Sequence, residues 1–180
     1  MDQLIAIDIG ASSVKAAIVR PGDWEIRQRL PTIDIHHRSF DELRSAVEKT
    51  VATALNMNPL LTTVGISTTG SASPDDVVIS SGFYAGYQGI RWLDVLGRST
   101  GGRIRVVRVL NDGRAAAYGT YLADRQARGH HLVHFVIGTG IGGGMVVDGA
   151  VFNGTHHFAG AYGHIKIDPH DERRCVCGGR

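Results

Sequence analysis

Four stretches of this 180-residue chain hold residue types whose spacing could do chemistry. Residues 138–144 read Gly-Thr-Gly-Ile-Gly-Gly-Gly, five glycines in seven positions, between the apolar runs 135–137 and 145–147. Backbone without side chains lets a ligand approach closely, and successive amide N–H groups in such a turn make a concavity for a phosphate. A plain hairpin connector has the same composition. Two well-known phosphate loops do not fit: no Lys follows the glycines, and Gly138-x-Gly140-x-x-Gly143 leads into a strand rather than a helix. The second stretch is Asp8-Ile9-Gly10-Ala11-Ser12, an acid beside small residues, suited to holding a hydrated Mg²⁺ or simply to capping a turn. The third is Asn111-Asp112, an acid at the junction of a strand pattern and a helix pattern, where sites of α/β sheets gather and where helix-capping acids are also common. Both cysteines, Cys175 and Cys177, form one C-x-C, a metal-like usage rather than a disulfide framework.

Composition bounds what these residues can serve. With 43% hydrophobic and 20% charged residues the chain reads as an ordinary globular protein, long enough for one good core or two small ones. A formal charge of +2 and a pI near 8.7 do not ask for a polyanion, so nucleic acid is not an expected partner. No apolar run approaches the ~18 residues of a membrane span and no leader pattern opens the chain, so the expected location is the cytoplasm. The paired histidines His36-His37, His130-His131 and His156-His157 fit solvated loops better than metal sites.

Those residues need elements to hold them. Residues 4–9 and 14–19 read as two strands joined at the Gly10 turn, with Asp8 at the tip, and 24–33 as a third antiparallel strand. Residues 39–55 read as a helix capped by Ser39 or Asp41, with Leu43, Val47, Val51 and Leu55 at four-residue steps. A strand over 62–68 ends in the small-residue turn Thr68-Thr69-Gly70-Ser71; a short strand (77–79) and a short helix (92–97) follow. A strand over 103–110 ends at Asn111-Asp112, a helix covers 113–127, and the glycine run sits between two further strands before a hairpin signal at Asp148-Gly149. The order β-β-β-α-β-α-β-α, then a second strand hairpin, hints at internal repetition.

Taken together, these features resemble the actin/hexokinase-like ATPase fold and, within it, the ROK family of repressors, uncharacterised reading frames and sugar kinases. Residues 8–12 resemble that family's first phosphate motif, D-[IL]-G-G-T, with Ala and Ser substituted. Residues 138–144 resemble its second phosphate motif, and Leu110-Asn111-Asp112-Gly113-Arg114-Ala115-Ala116-Ala117 its [EN]-N-D-A-N-A-A-A segment. Residues 159–164 (Ala-Gly-Ala-Tyr-Gly-His) with Cys175-Val176-Cys177-Gly178 resemble A-G-E-x-G-H and C-x-C-G-x-x-G-C, the zinc motif. The Ser-Thr-Thr-Gly at 67–70 and the Asp-Pro-His at 168–170 are similar to N-acetylmannosamine kinases, with glucokinase-type members equally compatible.

The resemblance implies an α/β chain of ribonuclease H-like type, with a complete first domain over 1–114 and the start of a similar one over 115–180. It implies an ATP-dependent kinase phosphorylating a hexose or N-acylhexosamine at the 6-hydroxyl, with Asp112 as general base. Gly70, Asn111 and His164 would meet the sugar. Asp8, Gly10, Ser12, Gly138, Thr139, Gly140 and Gly142 would meet the nucleotide phosphates and Mg²⁺. His164, Cys175 and Cys177 would bind a structural Zn²⁺, its fourth ligand a Cys expected beyond Arg180. Sugar and ATP are the implied partners, and a homodimer the implied full-length assembly.

Departures fall on the sugar side: Ala161 stands at the family's Glu, and Phe83 at an Asn. A non-catalytic sugar-binding member or an inactive fragment is the alternative. The first strand opens near Gln3, which leaves no place for a preceding DNA-binding module, and the text stops inside the zinc motif, as expected of a piece of a longer chain.

Overall fold

The computed structural model describes residues 3–80, 83–138, 140–168, 174–175 and 179. The chain divides into two compact units, Met1–Asp112 and Gly113–Arg180. No described helix is long and apolar enough to cross a membrane.

The first unit is built on one sheet. Strands β1 (Leu4–Ile9), β2 (Ser13–Arg20), β3 (Glu25–Arg29), β5 (Thr63–Thr68) and β8 (Val106–Asn111) lie in the order β3-β2-β1-β5-β8, and β4 (Ile33–Asp34) pairs with the start of β2. β1 is antiparallel to β2 and parallel to β5, which is parallel to β8. The third strand expected over 24–33 is split: β3 and β4 both run along β2, and Pro31, with no N–H to give the ladder, falls between them. β3 is exposed throughout, and as an edge strand it carries Glu25, Arg27 and Arg29, charges that discourage pairing with another chain.

One face of this sheet is covered by α1 (Phe40–Met57), whose buried Leu43, Ala46, Val47, Thr50, Val51, Ala54 and Leu55 repeat at three- and four-residue steps. Each large aliphatic side chain so buried contributes about 1.5–3 kcal/mol. They meet Ile5, Ile7, Ile9, Val14 and Ile18 in one core. Ser39 caps the helix, its Oγ accepting the Glu42 N–H at 3.3 Å. The Glu42 carboxylate in turn accepts the N–H groups of His36 (2.8 Å) and His37 (2.6 Å). Those bonds, the His36 one foremost, hold Glu42 below the ordinary carboxylate range.

After β5 the chain forms the hairpin β6 (Ser71–Ala72) and β7 (Val78–Ser80), then α2 (Trp92–Ser99). Trp92 is fully buried and its Nε1 donates to Tyr87 Oη at 2.9 Å, which shares a 2.9 Å bond with Thr68 Oγ1. Burial pushes the Tyr87 phenol up to about 12, so it stays a neutral donor and fastens segment 84–92 to the end of β5.

In the second unit α3 (Asp112–Ala123) packs on β10 (Ile141–Val147), which pairs with β9 (Leu132–Ile137) and β11 (Ala150–Val151). Its core is small: Ala117, Tyr121 and Val146, with Tyr118, Leu122, Ala127 and Leu132 around them. The seven-residue glycine loop expected at 138–144 is shorter here, because Ile141, Gly142, Gly143 and Gly144 are already in β10. The reason is packing. A Cβ on Gly144 would meet Arg114 Cα at 2.8 Å and the Ala117 Cβ at 2.9 Å, and one on Gly113 would meet the Gly143 carbonyl oxygen at 2.7 Å. Helix and strand approach so closely that neither backbone has room for a side chain. The hairpin signal at Asp148-Gly149 is a tight turn, with φ of 51° and 79°.

Candidate functional site

The parallel register of the first unit sets the site. Ile9 of β1, Thr68 of β5 and Asn111 of β8 stand at the same level of three adjacent strands. Every residue following that level emerges at the carboxyl edge, the usual place for ligands in such sheets. Gly10, Ser12, Gly70 and Asp112, which follow that level, and Asp8 and Asn111, at its margin, are brought to one edge from three separate stretches of sequence. β1 and β8 are two strand spacings apart, roughly 10 Å, which leaves room for a hydroxyl and a phosphoryl group between their acids.

Asp8 differs from its expected place at the hairpin tip. It is the penultimate residue of β1, exposed, on the face opposite the buried Ile7 and Ile9. Its Oδ1 accepts the Ser67 hydroxyl at 3.0 Å, across the β1–β5 pairing. The tip itself is residues 10–12, closed by the Gly10 N–H to the Ser13 carbonyl at 2.9 Å. Tyr84 holds this turn from outside, its hydroxyl donating to the Gly10 carbonyl at 2.6 Å. Tyr84 carried no signal in the sequence and Ser67 only its place in the Ser-Thr-Thr-Gly stretch, since each acts through a partner far along the chain.

Asn111 and Asp112 form the centre of the edge. Asn111 Nδ2 donates to the Gly70 carbonyl at 2.7 Å and to Asp112 Oδ1 at 2.9 Å. Both amide hydrogens are used, so the side chain of Asn111 fixes the end of β5 and the rotamer of the acid together. Asp112 is exposed at the first residue of α3, where the helix N-terminus favours negative charge. Gly70, at φ 81°, adopts the left-handed backbone that turns its carbonyl onto Asn111, a conformation few other residues take.

In the second unit Gly138, Gly140 and Gly142 have nothing within 4 Å of an added Cβ, unlike Gly143 and Gly144. The open glycines are those expected to face phosphates, and the crowded ones serve packing. Thr139 lies outside the described residues. Arg114, missed in the sequence, is buried to 1% exposure and holds the segment after β11: its guanidinium donates to Asn153 Oδ1 and to the His157 carbonyl, both at 2.9 Å. Its one signal was its place in the Asn111-Asp112 segment, where the resembled motif has Asn.

His164 ends a 3-10 turn (Tyr162–His164), and its Nδ1 is 3.5 Å from Cys175 Sγ. Two ligands of one tetrahedral zinc, at about 2.0–2.1 Å for nitrogen and 2.3 Å for sulfur, stand roughly 3.5 Å apart, so this pair fits the ion. The Cys175 N–H donates to the Gly179 carbonyl at 2.9 Å. Cys177 lies outside the described residues, among which no group of three metal-binding side chains occurs. The Tyr162 ring packs on Phe135 with centroids 4.6 Å apart, and burial raises its phenol. Ala161 is exposed, and Phe83, 47% exposed, lies under the Arg38 guanidinium at 5.6 Å.

A sheet with acids at its carboxyl edge is followed along the chain by a glycine-rich strand hairpin, and comparison with known proteins places this order of elements in a family. The ROK family model matches residues 4–180, and the chain belongs to that family. It is 32% identical over 185 residues to a glucokinase of Aeropyrum pernix, covering 99% of this chain and 54% of that protein. It is 26% identical over 182 residues to an N-acetylmannosamine kinase of Vibrio vulnificus, covering 97% and 59%. Among solved structures, a ROK family glucokinase from Streptomyces griseus in complex with glucose and AMPPNP matches with a TM-score of 0.78 at 25% identity, covering 99% and 55%. The fold is that of the actin/hexokinase-like ATPases, and the chain spans little more than half the length of the curated relatives it matches.

Proposed function

We propose that the protein to which this chain belongs is an ATP-dependent sugar kinase, transferring the γ-phosphoryl group to the 6-hydroxyl of a hexose or N-acylhexosamine. The observation that carries this is the Asn111–Asp112 pair, locked to Gly70 at the edge that also presents Asp8. Asp112 accepts the hydroxyl proton as the sugar oxygen bonds to the γ-phosphorus; the bond from phosphorus to the β,γ-bridging oxygen breaks, and ADP leaves with that oxygen. Such a reaction asks the protein mainly for alignment and charge stabilisation, so an oriented carboxylate and N–H-rich turns suffice. Gly70 and Asn111 position the sugar with His164; Gly10, Ser12, Gly138, Thr139, Gly140 and Gly142 line the phosphates. Asp8, oriented by Ser67, holds the hydrated Mg²⁺, which when bound neutralises phosphate charge. His164, Cys175 and Cys177 hold a structural Zn²⁺ with one further ligand; metal analysis of the full-length protein should return about one zinc, lost in Cys175→Ser. The second unit begins a second domain like the first, and the whole protein works as a homodimer in the cytoplasm, where ATP is supplied, with no nucleic-acid partner.

ADP release measured over a panel of hexoses and N-acylhexosamines tests the activity in full-length protein. Stimulation by one sugar, and its loss in Asp112→Asn, is the expected result; no stimulation by any sugar rejects it. The second reading, a sugar-binding protein without turnover, is favoured by Ala161 and Phe83, where the resembled motifs offer hydrogen-bonding groups. Calorimetric sugar binding with no ADP release would select it.

A further inference from the structure

We propose that Asp76 is a positioning residue for Asn111 and Asp112, an inference that rests on the kinase reading. Asp76 sits in the turn between β6 and β7, 8% exposed and in left-handed backbone at φ 61°. Its Oδ1 accepts the Val109 N–H at 2.7 Å, and its Oδ2 accepts Arg108 NH1 at 2.7 Å. β8 is an edge of the sheet, with no strand paired on its outer side among the described residues, and Asp76 takes the N–H two residues before Asn111. The same hairpin meets β8 again where the Gly70 carbonyl accepts Asn111 Nδ2. The two grips are about 7 Å apart along the strand, at the 3.3 Å rise of a parallel ladder.

The turn holding Asp76 is itself rigid. Its N–H donates to the Ser73 carbonyl at 3.0 Å, the Ser73 N–H to the Val77 carbonyl at 2.8 Å, and the Val77 N–H to Ser73 Oγ at 3.3 Å. Asp76 therefore ties the hairpin that follows Gly70 to the strand that ends in Asn111. Without that tie the Gly70 carbonyl is no longer held opposite the amide, and the amide no longer fixes the Asp112 rotamer. The Val109 bond carries this coupling. Arg108 is 76% exposed, and an ion pair so open to water and salt adds little.

The test uses full-length protein and the variants Asp76→Gly, Asp76→Ser, Asp76→Asn and Arg108→Ala, assayed for kcat and KM well below their melting temperatures. Glycine removes the carboxylate and suits the backbone at φ 61°; serine keeps a polar turn residue but falls short of Val109. Both should lower kcat at least tenfold and leave the KM for ATP unchanged. Asp76→Asn, whose amide oxygen still accepts from Val109, should stay within about threefold of wild type, and Arg108→Ala should equal it. On an Asn111→Ala background, Asp76→Ser should cost nothing further, since its effect passes through Asn111. An unchanged kcat, or a full multiplicative loss on that background, overturns the proposal and leaves Asp76 as a guard of the sheet edge. Wild-type turnover is read first. Without it the kinase reading falls, and the variants are then read by sugar Kd, which must weaken in Asp76→Ser if Asp76 positions Asn111; an unchanged Kd overturns the proposal. A wild-type protein that neither turns over nor binds any sugar overturns both.

Discussion

Asn111 decides what Asp112 can do. An exposed acid at a helix start samples several rotamers, and a base needs the one aimed at the hydroxyl. By donating to both the Gly70 carbonyl and the acid, Asn111 holds the acid in one of them. Asp112→Asn keeps the shape and loses the proton acceptor, so kcat should fall ~10²-fold or more, typical of general-base loss, with a small change in sugar KM. On the proposed kinase reading Asn111→Ala removes both the orientation of Asp112 and a sugar contact, so a smaller fall in kcat should come with a raised KM. Steady-state kinetics on the full-length protein separates the two patterns, and equal kinetics for Asp112→Asn and wild type would remove Asp112 from the reaction. The identity of this pair was readable in the sequence, because a strand pattern visibly ended there. Its lock was not, because Gly70 lies 41 residues away.

At the scale of elements, the glycine run divides into two tasks that its sequence does not distinguish. Gly144→Ala forces a methyl group against Arg114 and Ala117 and should destabilise the second unit by about 1–3 kcal/mol, as overpacking does. Gly140→Ala meets open space and should leave chemical denaturation unchanged while weakening ATP affinity. The opposite pattern would exchange the two assignments. The N-terminus of α1 makes a pH prediction. Glu42 titrates below its ordinary value of 4.5 because the His36 and His37 N–H groups favour its charged form. A depressed carboxylate stabilises the fold fully above its unfolded pKa and stops doing so as pH falls through the folded one. Stability should thus drop below about pH 4.5, and Glu42→Gln should flatten that limb; an identical acid limb in the variant counts against the cap.

For the whole molecule, the two units differ in how much apolar surface each buries. The first has a continuous core from Ile5 to Val109, whereas the second buries Ala117, Tyr121 and Val146 and leaves Phe135, Ile137, Ile141, Ile165 and Ile167 exposed. A unit with so small a core opens more readily. In the 180-residue chain alone, trypsin should cut first at Arg125, Arg128 or Lys166, leaving a resistant piece that ends near Asp112. Equal protection of both units, read by mass spectrometry of the digest, would contradict this.

The sequence by itself determined the local devices: the Ser39 cap and four-step stripe of α1, the Asp148-Gly149 turn, the strand that runs out at Asn111-Asp112, and the motifs that place the chain in its family. Each follows from neighbours in the chain, where periodicity and turn chemistry act. Only the tertiary structure decided which glycines are packing and which are open, why Pro31 splits the third strand, and that Ser67, Asp76 and Tyr84 support the site edge. Those outcomes depend on sheet register and on the closeness of helix to strand. Both arise from contacts between residues far apart in sequence, which no local pattern encodes.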